Sequence, residues 1–134
     1  MRTHELINKA ADLIEATGWT QGAGARDAYG NCCFVNPGAN DPEPVCFCAS
    51  GAITRVFAIE RQGFTAGGQK LESRAHKALN AATSYLDIIA FNDAPGRSAD
   101  EVVAVLRTTA AKLAAEEEAV DAALLTELQQ GTTQ

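Results

Sequence analysis

Between Gly96 and Gly131 neither glycine nor proline interrupts the chain. A helix that begins in this stretch meets no residue able to break it, because only those two types carry a large penalty inside a helix. The beginning is marked as well. Ser98, followed three residues later by Glu101, forms a capping box, and Val102, Val105, Leu106, Thr109 and Leu113 then repeat at helical spacing to give a buried stripe. The spacing predicts one long helix, or two in succession. Glu116-Glu117-Glu118 lies beside Val120, Leu124, Leu125 and Leu128, a segment expected to fold back on the core or to meet another subunit. Gly131 to Gln134 is expected to fray.

The remaining segments have to pack around this helix, and the composition limits how. Of the 134 residues 46% are hydrophobic but only 6% aromatic, with Trp19 the sole tryptophan, so the core is built from Ala, Leu, Ile and Val on closely approaching helices. Leu6, Ile7, Ala10, Leu13 and Ile14 define a first amphipathic helix, with Thr3 placed to cap it and Gly18 to stop it. Cys46 to Glu60 reads as a second helix, with Cys48, Ala52, Val56 and Ile59 on one stripe. Its small residues Ala49, Ser50, Gly51 and Ala52 admit another backbone at close range. Arg61 to Gln69 reads as a loop. Leu71, Ala75, Leu79, Ala82 and Leu86 mark a third helix, which Ile88 to Phe91 either extends or follows as a short strand. Residues 19–35 carry glycines and the turn Asp27-Ala28-Tyr29-Gly30-Asn31, suggesting a short irregular β-hairpin that ends before the proline-rich loop at 36–44. The predicted fold class is mainly α, with α+β as the alternative, and has four to five helices. Residues 1–112 form a single helical domain, and 113–134 a C-terminal helical extension.

The net charge of −6 opposes non-specific nucleic-acid binding, in which each phosphate contact needs a Lys or Arg, and the eleven such residues form no run. Acidic membrane surfaces are disfavoured for the same reason. No stretch has the length of a membrane span and the N-terminus does not read as a signal peptide. The cytoplasm is therefore the expected location, and there the four cysteines read as thiols.

Three chemistries need weighing. Cys32, Cys33, Cys46 and Cys48 match tetrahedral zinc in number, but neither pair has the usual two-residue gap, so no metal is expected; a disulfide between the pairs is sterically open but runs against the compartment. Cys48 near a helix start gains thiolate character, and His76 with Asn92 or Asp93 would complete a nucleophile, base and orienter. Against this, Cys48 lies on an apolar stripe. Gly63 to Lys70 resembles a phosphate loop but lacks the Gly-Lys-Ser/Thr ending, so no nucleotide or other cofactor is expected.

Trp19, Gln21, Arg26, Asp27, Asn92, Asp93 and Arg97 sit in glycine-rich turns, where ligand- or partner-binding residues concentrate. A structural role is the competing reading, since Asx side chains readily bond their own backbone. The blocks Gly18-Trp19-Thr20-Gln21-Gly22-Ala23 with Ala25-Arg26-Asp27, Cys46 to Ile53, and Phe91-Asn92-Asp93-Ala94-Pro95-Gly96-Arg97-Ser98 with Glu101-Val102 resemble an uncharacterised family of bacterial and phage proteins classed as a domain of unknown function. The resemblance covers about residues 3 to 112. It implies a shared architecture and a shared site near Trp19, Arg26, Asp27, Cys48 and Asn92, but no particular activity.

With no complete catalytic set, the sequence favours a non-catalytic binding or interaction module. A phage-type accessory factor or inhibitor of a host protein would be one form of it, and the ligand would be a protein partner or a small molecule. The enzymatic alternative is a thiol-dependent hydrolase or transferase using Cys48, and homo-oligomerisation through the C-terminal helix is compatible with either.

Overall fold

The computed structural model describes residues 1–60 and 66–131, with the backbone alone for 66–70. In chain order its elements are α1 (Thr3–Ala16), β1 (Ala25–Arg26), β2 (Cys46–Phe47), α2 (Ala49–Glu60), α3 (Ala66–Ala82), α4 (Ile88–Asn92) and α5 (Ala99–Gly131). The described residues are thus mainly helical, with five helices and one two-stranded antiparallel pair in the register Ala25 opposite Phe47 and Arg26 opposite Cys46. No helix among them is long and apolar enough to cross a membrane.

The core is the meeting of five helical stripes. Leu6, Ile7, Ala10, Ala11 and Ile14 of α1 pack with Ala52, Ile53, Val56 and Phe57 of α2, Leu71, Ala75 and Leu79 of α3, Ile88 of α4, and Val102, Leu106 and Ala110 of α5. α1 lies against α2, α3 and α5, and α2 against α1, α3, α4 and β2. Arg107 fastens α5 to α1 along their polar border. Its guanidinium donates to the Asn8 carbonyl oxygen at 3.1 Å, to Asp12 Oδ1 at 2.6 Å and to Glu15 Oε1 at 3.1 Å.

The expected close approach at the start of α2 is present. A Cβ built on Gly51 would stand 2.0 Å from the Gly24 carbonyl oxygen, so helix and loop touch backbone to backbone. The same carbonyl accepts the Cys48 N–H at 3.1 Å. Segment 46–48 is held on both sides: Phe47 N–H donates to Gly18 O and Thr20 N–H to Phe47 O, each at 3.1 Å, while Val45 N–H donates to Arg26 O at 2.9 Å.

Several boundaries differ from the sequence expectation. Cys46 and Phe47 are a strand and α2 begins only at Ala49. The expected hairpin within 19–35 is reduced to a single Arg26–Cys32 bridge, because β1 takes its partner from the far side of the proline loop. The third helix begins at Ala66, earlier than expected, and ends at Ala82, so that Leu86 is exposed in the following turn. Ile88 to Phe91 neither extends α3 nor forms a strand. Asp87 starts a separate helix there, its Oδ1 accepting the Ala90 N–H at 2.8 Å, and Asn80 Oδ1 accepts the Ile88 N–H at 2.9 Å. Ile59 is exposed rather than on the buried stripe of α2. Thr3 is the first helical residue of α1 rather than its cap; the Arg2 N–H is taken by Glu5 Oε1 at 3.3 Å. Gly63, Phe64 and Thr65 of the stretch resembling a phosphate cradle lie outside the described residues, as do 132–134 of the expected frayed end, while Gly67 and Gly68 fall in α3.

The capping box at Ser98 forms as the sequence predicts. Glu101 N–H donates to Ser98 Oγ and Ser98 N–H to Glu101 Oε1, both at 3.2 Å. Hydrogen bonds from Arg97 first, and then from Ser98, hold the Glu101 carboxyl below the usual carboxylate range. This contribution to stability is present above the unfolded pKa and lost as pH falls through the lowered folded value. α5 then runs unbroken for 33 residues. Only its inner half is packed, by Val102, Leu106, Thr109 and Ala110; from Glu118 to Gly131 every residue is exposed.

Gly51→Ala should destabilise the fold by about 3 kcal/mol or more, since the clash is with a backbone carbonyl rather than a mobile side chain. Urea unfolding of the variant against the parent, with a surface control such as Ala111→Gly, measures it.

Candidate functional site

Asn92, at the C-terminal end of α4, has no exposed surface, and its side chain is the centre of the turn cluster. Oδ1 accepts the Trp19 indole N–H at 2.8 Å and the Ala49 N–H at 3.0 Å, while Nδ2 donates to Thr20 O at 3.0 Å and Asp93 Oδ1 at 2.9 Å. A carboxamide has two acceptor and two donor positions, and all four are in use. Because Ala49 is the first residue of α2, one side chain caps that helix and also anchors the Trp19 loop. Gln21 Nε2 closes the cluster by donating to the carbonyl oxygens of Asn92 and Ala94, each at 3.0 Å. Asp93 Oδ1 also accepts the Gly22 N–H at 3.0 Å, where the chain turns at a positive φ of 75° that favours glycine.

The other turn residues are likewise turned inward. Arg26 donates to Thr20 Oγ1 at 2.9 Å, Gln21 O at 3.0 Å, Gly30 O at 3.1 Å and Cys32 Sγ at 3.5 Å. It thereby ties the loop on either side of β1 into one unit. Asp27 Oδ1 accepts the N–H groups of Tyr29 at 2.9 Å and Asn31 at 3.1 Å, which is the Asx geometry of its turn. Arg97 donates to Phe91 O at 2.9 Å and to Glu101 Oε2 at 2.6 Å, with its guanidinium carbon 3.7 Å from the Phe91 ring centroid. The structure therefore brings Trp19, Gln21, Asn92 and Asp93 into one network, joins Arg26 to it through Thr20 and Gln21, and leaves Asp27 and Arg97 in separate local roles.

Cys48 is the residue before α2, 6% exposed, with Sγ accepting the Gly51 N–H at 3.2 Å. It caps the helix. Burial pushes its thiol up from the ordinary value, outweighing the backbone hydrogen bonds of Gly51 and Ser50 that act the other way. His76 is not its partner. The imidazole instead meets Ser50, a residue the sequence singled out only for its small size, with Nε2 and Ser50 Oγ 2.8 Å apart. His76 Nδ1 lies 2.9 Å from the Glu72 carbonyl oxygen, which can only accept, so Nδ1 carries a proton and, in the neutral ring, Nε2 accepts from the Ser50 hydroxyl. Ser50 opens into a groove of about 260 Å³ whose walls include Gly22, Ala23, Gly24, Cys48 and Asp93.

The four cysteines are free: Cys32 exposed, Cys33 and Cys46 half-buried, Cys48 buried. Burial first, and then the negative field of Asp27, raises the Cys33 thiol. Among the described residues no group of three or more His, Cys, Asp or Glu is placed to hold a metal ion.

With the three motif blocks now assembled around Asn92, comparison with protein families is decisive for descent. The model of the family of unknown function DUF6197 matches residues 1–112. The chain belongs to DUF6197. The resemblance read from the three blocks is thus to a real family, whose description carries no activity. No curated protein and no solved structure gives a significant match. The DUF6197 match ends inside α5, close to where the helix leaves the packed body.

Asn92→Ala would leave the Trp19 indole, the Ala49 N–H and the Thr20 carbonyl without a partner, and should cost about 3 kcal/mol or more in chemical denaturation, with a red shift of Trp19 emission. Timed alkylation with peptide mapping should find Cys48 at least about tenfold slower than exposed Cys32, because a buried protonated thiol is inert.

Proposed function

We propose that this DUF6197 chain is a small interaction module that engages a protein partner through the outer part of α5. The observation that carries this reading is the exposure of Val120 (59%), Leu124 (52%) and Leu125 (60%) on helical turns that extend past the packed body. Large apolar side chains grouped on a projecting helix mark a contact surface more often than scattered exposed residues do.

Charge narrows the partner. Residues 113–134 hold Glu116, Glu117, Glu118, Asp121 and Glu127 and no Lys or Arg, so nearly all of the net charge of −6 resides there. Arg2 and His4 reach only the near end: Arg2 pairs with Glu117 at 3.1 Å and Asp121 at 3.0 Å, and His4 Nδ1 lies 3.0 Å from Glu117. Two copies joined tail to tail would set carboxylate against carboxylate. A basic surface with an apolar groove complements the helix, and electrostatic attraction of that kind speeds encounter. A phage-type accessory factor or inhibitor that occupies a basic site on a host protein in the cytoplasm would have this form. The hydrogen-bonded turn residues act in this reading as the frame that holds the body together, and a small-molecule ligand is not required. Cys48, buried and capping α2, gives the thiol-enzyme alternative little support.

The test compares the full chain with a variant lacking residues 120–134 and with Leu124→Asp/Leu125→Asp in affinity capture from host cells followed by cross-link mapping. All three should melt alike, within about 1 kcal/mol, since residues 120–131 are exposed and the Arg2–Asp121 pair lost with them is exposed as well. Partner recovery should fall at least tenfold in both variants and weaken with salt, as surface charge pairs are screened. Equal recovery by all three proteins, or sedimentation of the full chain as a dimer that the deletion abolishes, would refute the reading.

A further inference from the structure

We propose that Ser50 is a nucleophilic hydroxyl, activated by His76, that accepts the acyl group of a small carboxylic ester bound in the groove between the Gly22–Gly24 loop and the start of α2. This site lies on the packed body and is independent of α5.

The geometry supplies the parts that such a step requires. Ser50 Oγ is 2.8 Å from His76 Nε2, inside the distance at which a general base takes a proton. The second ring nitrogen is held by Glu72 O at 2.9 Å, which selects the neutral tautomer whose free Nε2 lone pair faces the hydroxyl. Thr54 Oγ1 donates to Glu72 Oε1 at 2.7 Å and ties the same stretch of α3 to α2, so that base and nucleophile sit on two cross-linked helices. Ser50 is also in the first turn of α2, at the positive end of its dipole, which favours developing negative charge.

The donor for an oxyanion is available next door. Gly51, the residue after Ser50, gives its N–H to the Cys48 thiol at 3.2 Å, and a neutral thiol is a weak acceptor. An oxyanion formed on Ser50 would be a much stronger acceptor for that N–H. The burial that makes Cys48 a poor nucleophile leaves it uncharged, so that it does not compete for the Gly51 N–H as a thiolate would. The groove admits a short acyl group past the side-chain-free backbone of Gly22 and Gly24, and Asp93 on its wall disfavours an anionic one.

In the reaction, Ser50 Oγ bonds to the ester carbonyl carbon as its proton passes to His76 Nε2. The C–O bond to the leaving alcohol breaks, and the alcohol takes that proton from His76. Water then repeats the sequence on acyl-Ser50, releasing the acid and restoring the hydroxyl. No metal or redox partner enters.

The test is to treat the full chain with a small alkyl fluorophosphonate, in which the Ser50 oxygen–phosphorus bond would form as fluoride leaves. This probe avoids the acyl transfer to exposed Cys32 that a simple ester would suffer. Mass spectrometry of the digested protein should find the adduct on Ser50 and not on the solvent-exposed hydroxyl of Ser98. Ser50→Ala should abolish it, and His76→Gln, which keeps a hydrogen-bonding side chain but no base, should slow it about 100-fold. Circular dichroism melting of both variants reports whether they fold. An unlabelled Ser50 in the parent protein overturns the proposal whatever the variants do, and so does equal labelling of folded His76→Gln.

Discussion

The body of this protein depends on one buried carboxamide. Asn92 ends α4, caps α2 through Ala49, and receives the Trp19 indole, so three segments far apart in sequence are located by a single side chain. The surrounding core is dominated by alanine, isoleucine and leucine, whose contacts are individually forgiving of small shifts. Directional bonds to Asn92 supply the discrimination that such a core lacks, because a slip by one residue would strand several polar groups in a dry interior. The backbone contact of Gly24 with Gly51 has the same support: the Cys48 N–H bonds the Gly24 carbonyl directly, and Asn92, Gln21 and Asp93 anchor the preceding residues of the loop.

How much of this was legible in the sequence follows from the range of each interaction. α1 and α5 could be read from their spacing, and the Ser98–Glu101 box from two residues three apart. Cys46 and Phe47 were misread as helical because two residues carry no usable strand period, and what decides their state is pairing with Ala25 and Arg26 across the proline loop. Leu86 and Ile88 were misplaced because Asp87 restarts the helix, a local cap that the apolar pattern conceals. The turn residues stand out by type, and their bonding capacity is spent inside the molecule, as short polar side chains beside flexible backbone allow. Cys48 and His76 were paired by residue type; the structure pairs His76 with Ser50 instead. Cys48 caps the helix while Ser50, two positions on, faces α3, and only the packing of α3 on α2 determines which of them meets the imidazole.

The body and the outer part of α5 obey different physics. Up to about Ala110, helix follows helix because each buries an apolar stripe. Past Glu118 every described residue is exposed, and Arg107, whose contacts with Asn8, Asp12 and Glu15 clamp α5 to α1, lies well inside the packed region. The family match, the near-neutral part of the chain and the packed core all end in the same part of α5.

The placement of those carboxylates has an energetic consequence of its own. Five acids lie in the C-terminal half of a helix whose last turn has no basic residue, and Glu127 comes nearest to the negative end of its dipole. Neighbouring Glu116 to Glu118 add mutual repulsion. The outer turns are rich in good helix formers, but apart from the Arg2 pairs with Glu117 and Asp121 they have little packing to reinforce them, which makes their order sensitive to ionic surroundings. Cations along this stretch would relieve both penalties at once, so ordering of the arm and capture of a basic surface would be a single, thermodynamically linked event.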